Sequence, residues 1–181
     1  MAFGLKYDSI ENYLKSYGKY IVRQAKGILK FNTATGNLQS SLKHKVKKTR
    51  DGFELKFLAS KHGAFLNKGV SGNQTRRTYV NAEGKRKSSP FRFKNRQPPS
   101  SVIERWISTK GIQGRDSKGR FITRKSLAFV IGRSIKRDGI RALSFYSQPI
   151  SWSFNLFKKE MVRNFKKDVL KEIKFFKTKL K

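Results

Sequence analysis

Apolar residues recur every three or four positions in two long stretches of the chain. Between residues 8 and 30 they form the stripe Ile10, Leu14, Tyr17, Ile21, Ala25 and Ile28. In the last 30 residues they form a second stripe of Phe154, Phe157, Met161, Phe165, Val169, Ile173, Phe176 and Leu180. This period predicts an amphipathic helix in each stretch. At about 1.5 Å per residue, the C-terminal helix over 150–180 would extend about 40 Å.

Shorter helices are predicted between these two. Ser101 and Glu104 have the spacing of a capping box, and they begin a helix whose apolar face is Val102, Ile103, Trp106 and Ile107. Leu127, Val130, Ile131 and Ile135 predict another helix, which ends at Gly139. Leu38 and Leu42 mark a short helical turn that docks by its leucines.

An alternating pattern predicts a β-hairpin before residue 60. Phe53, Leu55 and Phe57 alternate with Glu54, Lys56 and Leu58. Asp51-Gly52 comes directly before them and is a type I′ turn signal. These elements predict an α+β fold, with a small antiparallel sheet flanked by helices, over one domain of residues 1–181. A connector over 142–149 carries Phe145 and Tyr146, two aromatics that look exposed. We nevertheless expect Leu38, Phe65, Trp106 and Phe145 to position the fold rather than to contact a partner.

Residues 69–97 form a basic arm that interrupts these patterns. Turn formers divide it, Glu83 is its one acid, and strand-like pieces at 78–80 and 91–93 favour a projecting hairpin. The predicted contact residues for DNA or a partner are Arg76, Arg77, Lys85, Arg86, Lys87, Arg92, Lys94 and Arg96. With Tyr79, Phe91 and Phe93 between them, they could grip phosphates and stack on bases, or dock equally well on an acidic neighbour.

Charge dominates the composition. The chain of 181 residues has 43 Lys and Arg against 11 Asp and Glu, a formal net charge of +32, which favours a polyanionic partner or an acidic protein surface. The absence of Cys excludes disulfides, zinc knuckles and thiol chemistry, and is compatible with synthesis in a reducing cytoplasm. No signal-like segment or bilayer-long apolar run is present, so we expect no membrane contact.

Catalytic patterns are weak. His44 and His62 belong to no recognised catalytic or metal motif and are interpreted as structural or surface residues. Glu54 and Lys56 have the spacing of half a metal-dependent nuclease site, but the nearby Asp51 is too close in sequence to complete it. Residues 114–121 have phosphate-loop glycine spacing without its Lys or Ser/Thr, which favours a surface turn. We therefore expect a protein without catalytic residues, metal or cofactor.

The order of these pieces resembles the tail-completion or neck proteins of tailed bacteriophages. After the first helix come the Thr-Gly-Asn-Leu start of 35–42, the hairpin, and the Lys-His-Gly-Ala-Phe-Leu-Asn-Lys-Gly stretch of 61–69. Pro98-Pro99 then lead into the helix with Trp106, and the stretches 127–135 and 139–145 follow. The chain departs from the pattern at Asn67-Lys68, where an acidic residue is common, and in its long arm and high charge.

The resemblance implies a structural role. Copies would form a homo-oligomeric ring around the DNA channel, contacting portal or adaptor proteins on one side and tail proteins on the other. Packaged double-stranded DNA would be held through its phosphates without sequence readout. The chain would be made in the host bacterial cytoplasm and reside at the head-tail junction of the virion. The residues alone leave an alternative open, a free, sequence-independent nucleic-acid-binding protein.

Overall fold

A computed structural model describes residues 7–30 and 35–179, and it confirms the predicted α+β fold. The helices are α1 Asp8–Lys30, α2 Asn37–Ser41, α3 Gly63–Lys68, α4 Ser100–Lys110, α5 Arg124–Asp138 and α6 Ser147–Lys179. The strands are β1 Lys43–Thr49, β2 Gly52–Leu58, β3 Val70–Ser71, β4 Thr78–Val80, β5 Arg86–Ser88 and β6 Gly139–Ile140. Within the described ranges they pair as three separate antiparallel ribbons, β1 with β2, β3 with β6 and β4 with β5.

The main core lies between α1, α2 and the connector before α6. The α1 stripe is buried as predicted, except that Leu29 is fully buried and Ile28 only partly. Ala25, Leu29, Leu38, Leu42 and Phe145 form one apolar cluster, so Leu38 of α2 and Leu42 directly after it dock as expected. The exposed appearance of Phe145 in the sequence was wrong, since it is only 1% exposed, and its expected role in positioning the fold is confirmed. A connector aromatic therefore sits at the centre of the core.

The β1–β2 hairpin packs one face on α1. Thr49 pairs with Gly52, so Arg50 and Asp51 are the turn residues, and the predicted Asp51-Gly52 turn was wrong by one position. On the inner face the His44 ring lies against Gly18 of α1, where any Cβ would overlap it. Gly18 thus allows the helix and strand to approach closely, although glycine weakens a helix interior.

A second apolar cluster joins α4 to α5. Ile103, Ile107 and Ala128 are its buried members. The predicted faces were too wide, because Val102, Trp106 and Val130 are exposed. The capping box was wrong as well: α4 begins at Ser100, its N-cap is Pro99, and no side chain caps it. The Pro99 carbonyl accepts the first helical hydrogen bonds instead, from Val102 and Ile103.

Gly139 ends α5, as predicted. Its φ of +75° is a left-handed conformation that L side chains rarely adopt, and a Cβ there would overlap the Val70 carbonyl. The chain then enters β6, where Gly139 pairs with Ser71 and Ile140 with Val70. This short ribbon fixes the base of the arm beside the end of α5.

The C-terminal helix runs antiparallel to α1 and begins at Ser147, before the predicted residue 150. The Tyr17 and Ser153 hydroxyls are hydrogen-bonded at 2.9 Å. Phe154, Phe165 and Ile173 of the predicted stripe are exposed, and Leu180 lies outside the described residues. Among the described helices, none is both long and apolar enough to cross a membrane.

An aspartate joins α6 to the start of α1. The Asp168 carboxylate, 1% exposed, accepts hydrogen bonds from the backbone N–H groups of Ser9 and Ile10, both at 3.0 Å. These are first-turn groups that have no partner inside their own helix. Burial alone would raise the pKa of Asp168, but its hydrogen bonds with Ser9 and Ile10 outweigh burial and lower it. Asp168 therefore caps α1 from a distant part of the chain.

Candidate nucleic-acid interface

The basic arm is anchored by main-chain hydrogen bonds close to Ser71. The Ser71 N–H donates to the Phe91 carbonyl, and the Phe93 N–H donates back to the Ser71 carbonyl, both at 2.8 Å. Farther along, the Val80 N–H donates to the Ser144 hydroxyl oxygen at 3.1 Å. The arm backbone is therefore held against the connector, whereas most of its basic side chains are exposed.

The arm contains a hairpin, but its second strand differs from the prediction. Arg86–Ser88 pairs with Thr78–Val80, whereas residues 91–93 run beside Ser71. At the tip, the Asn81 side-chain oxygen accepts hydrogen bonds from the N–H groups of Glu83 and Lys85. The single acid of the arm is thus confined to the hairpin tip, away from its base.

Two of the eight predicted contact residues have intramolecular roles. The Arg77 Nε donates to the Asp138 carbonyl at 2.7 Å and so ties the arm to the end of α5. The Arg92 guanidinium donates to the carbonyls of Gly72, at 3.3 Å, and Asn73, at 3.0 Å. Both residues therefore shape the arm, and their replacement would disturb its structure as well as its charge.

A groove of about 610 Å³ lies between the arm and the connector. Its basic residues are Arg76, Arg77 and Arg86 from the arm and Arg141, which directly precedes the connector, and no acid among the described residues lines it. Arg76, Arg86 and Arg141 are exposed, and their guanidinium groups form no hydrogen bond or ion pair within the part of the chain that the structure describes. The groove therefore collects uncompensated positive charge.

Arginines in a concave site suit phosphate groups. The guanidinium donates bidentate hydrogen bonds that match phosphate oxygens, and a groove concentrates the field of its charges. The nearby Asp138 does not neutralise the groove through a free carboxylate, because that carboxylate pairs with Arg137 at 2.8 Å. The same hydrogen bond lowers the pKa of Asp138. The arrangement is therefore suited to binding a polyanion without reading base sequence.

The other predicted arm residues lie outside the lining of this groove. Lys85, Lys87, Lys94 and Arg96 are exposed. The Phe91 ring, one of the aromatics predicted to stack on bases, packs instead on Phe65, with ring centroids 4.5 Å apart. The structure thus brings Arg76, Arg77 and Arg86 together and leaves the remaining cations dispersed.

The stretches that carry the phage resemblance lie side by side. The backbone carbonyls of Leu66 and Asn67 accept hydrogen bonds from the N–H groups of Leu143 and Ser144. The Asn67 side chain accepts a third, from Tyr146 at 3.0 Å. No family model, curated protein or solved structure matches this chain. The Asn67 side chain thus fastens the connector through an oxygen acceptor.

The patterns considered for catalysis remain isolated. Lys56 and Glu54 form an ion pair at 3.1 Å, and the described residues contain no group of three His, Asp or Glu able to hold a metal ion. Residues 114–121 form a tight turn, in which the Asp116 carboxylate accepts hydrogen bonds from the N–H groups of Lys118 and Arg120. That turn is the surface turn predicted for this segment, and it presents no cradle of free N–H groups to a phosphate.

Sequence reasoning missed Arg141 as a groove residue. It lies between the apolar Ile140 and Ala142, outside the basic arm, and no periodic signal distinguishes it. It joins the arm only because β6 pairs with β3 and sets the start of the connector beside the arm base. A weak signal was available, since Arg141 is a cation two residues after the helix-ending Gly139.

Proposed function

We propose that this chain is a non-enzymatic structural protein of the head-tail junction of a tailed bacteriophage. Copies assemble into a ring around the DNA channel, between the portal or adaptor proteins and the tail. The arginine groove carries the proposal, because it joins the arm to the 139–145 stretch of the resemblance through Arg141. In such a ring the groove contacts DNA phosphates, which requires charge but no base recognition.

Exposed apolar residues on α6 support assembly into a ring. Trp152, Leu156 and Leu170 are 70%, 62% and 56% exposed. Because an α-helix has 3.6 residues per turn, these three side chains share one face. In the proposed ring this face contacts a neighbouring copy, and head-to-tail contacts that close by rotation produce a ring.

A free, sequence-independent nucleic-acid-binding protein is the second candidate, and the same groove supports it. The two proposals differ in assembly. A free binding protein acts as a monomer on host or phage DNA and is absent from particles, whereas a junction protein is present in them at a fixed copy number.

The first experiment measures the mass of the purified 20.9 kDa chain by light scattering at moderate salt, with and without duplex DNA. Phage particle fractions are probed for the chain in parallel. We expect a multiple of the monomer mass, or a fixed copy number in particles. A monomer that binds duplex and is absent from particles would contradict the junction role and favour the free binding protein.

A groove variant tests the proposed DNA contact. Replacing Arg76, Arg86 and Arg141 with Gln should reduce the slope of log affinity against log salt by about 2.7, since each phosphate contact contributes about 0.9. Arg77 is retained because it anchors the arm. Fluorescence anisotropy with a mixed-sequence duplex measures the slope.

The matched control removes the same charge from the exposed α6 residues Lys159, Lys166 and Lys167. This control should change the slope by less than about 0.9, the contribution of one phosphate contact. Equal losses in the groove variant and the control would show that net charge, rather than the groove, determines DNA binding.

A further inference from the structure

The outer face of the β1–β2 hairpin carries a row of lysines that sequence analysis did not assign. Lys43, Lys45 and Lys47 occupy alternate positions of β1, and all three are exposed. Lys56 of β2 lies directly opposite Lys45. Residues that pair across an antiparallel ribbon project from the same face, so these four cations form one array.

The array is rigidly supported from behind. The alternate residues His44 and Val46 are partly buried, and so are their cross-strand partners Phe57 and Leu55. The hairpin base is fixed as well, because the Tyr146 hydroxyl donates to the Leu58 carbonyl at 2.8 Å. Burial raises the pKa of Tyr146 to about 12, so this donor keeps its proton at neutral pH. The lysines therefore project from a surface of fixed shape.

The pairing of Lys45 with Lys56 is unfavourable for the isolated chain, because like charges directly opposite each other in a sheet repel. Glu54, opposite Lys47, is the one acid among the described residues of this face, and it pairs with Lys56. An anion bound across the array would offset the remaining repulsion. Among the described residues, Lys43, Lys45 and Lys47 form no ion pair, so their positive charge is uncompensated in the free chain.

We propose that this lysine face is a second binding surface for the phosphate backbone of double-stranded DNA, separate from the arginine groove. Lysines two positions apart on a strand are about 6.8 Å apart, which equals two axial steps of about 3.4 Å along one DNA strand. Lysine is depleted from protein–protein interfaces, where aromatic anchors are enriched, and this face offers no aromatic side chain. These features favour DNA over an acidic protein.

This inference rests on the proposed function for its partner, duplex DNA, but not for the ring. Its test therefore uses the free full-length chain and does not depend on assembly. The variant replaces Lys43, Lys45 and Lys47 with Gln, and the control is again the Gln variant of Lys159, Lys166 and Lys167. Lys56 is retained so that Glu54 keeps its partner.

Anisotropy titrations of a mixed-sequence duplex over a range of salt concentrations measure the effect. We expect the hairpin variant to lose about 2.7 from the log–log salt slope and on the order of 100-fold in affinity near 0.15 M salt. The control should lose less than about 0.9 from the same slope, the contribution of one phosphate contact. A slope unchanged in the hairpin variant, or equal losses in both variants, would overturn the proposal.

Two further measurements separate the alternatives. Poly-glutamate serves as an acidic polypeptide probe: loss of its binding with unchanged duplex binding would overturn the DNA assignment in favour of a protein partner. The single change Lys45→Gln should raise the melting temperature while it weakens duplex binding, because it removes the repulsion with Lys56. A lowered melting temperature would contradict the repulsion and with it the argument for a bound anion.

Discussion

Replacing Phe145 with Ala should lower the free energy of unfolding by about 3 to 5 kcal/mol, the cost of removing a buried phenyl ring. The side chain is fully buried among Ala25, Leu29, Leu38 and Leu42, which come from α1 and from the segment around α2. Its removal would leave a cavity between α1, the α2 segment and the connector. Urea denaturation followed by circular dichroism measures the loss.

Phe175 provides the control for this change, because its ring is 54% exposed near the end of α6. Phe175→Ala should change the free energy of unfolding by no more than about 0.5 kcal/mol. If Phe145→Ala proved as mild as the control, the placement of the connector against α1 would be wrong.

Replacing Asp168 with Ala should destabilise the protein by about 2 to 3 kcal/mol. The change removes the acceptor for two backbone N–H groups, those of Ser9 and Ile10, at the start of α1. It also removes a negative charge that interacts favourably with the positive end of the helix dipole. Denaturant midpoints of the variant and of the parent chain, compared at pH 7, measure the effect.

The pH dependence of the Asp168→Asn variant tests the electrostatic part of this stabilisation. The pKa of Asp168 is lowered by folding, so the stability it contributes is present above the unfolded pKa of about 3.9 and is lost as pH falls through the folded value. The stability difference between the parent chain and Asp168→Asn should therefore shrink below about pH 4. Glu160→Gln, which affects a more exposed pair with Arg163 on the same helix, should show a much smaller difference at every pH.

The helix positions were largely predictable, because α1 repeats its stripe over many turns and Gly139 is a strong stop signal. Local sequence signals gave wrong predictions where contacts with other parts of the chain determine a helix start or the burial of a side chain. The Pro99 carbonyl starts α4 one residue before the proposed capping serine. The burial of Phe145 depends on α1 and α2, which lie more than 100 residues earlier in the chain. No local pattern contains that information.

The candidate site was only partly predictable for the same reason. Composition located the basic arm, but it could not separate Arg77, which holds the end of α5, from Arg86, which lines the groove without a partner among the described residues. Asp168 was overlooked within a lysine-rich helix, although an acid beside an apolar stripe is a weak signal of a buried acceptor. The role of each of these residues depends on a part of the chain that is distant in sequence.

The anchoring of the arm has an evolutionary consequence. Its path depends on main-chain hydrogen bonds at Ser71, Gly72 and Asn73 and on the side chains of Arg77 and Arg92. None of these bonds requires a particular side chain at the other exposed positions of the arm. Point substitutions at Lys85, Lys87, Lys94 or Arg96 can therefore alter or even reverse the local charge while the loop keeps its course. The charge of this surface can therefore change gradually during evolution to suit a changed partner, because these substitutions have little effect on folding.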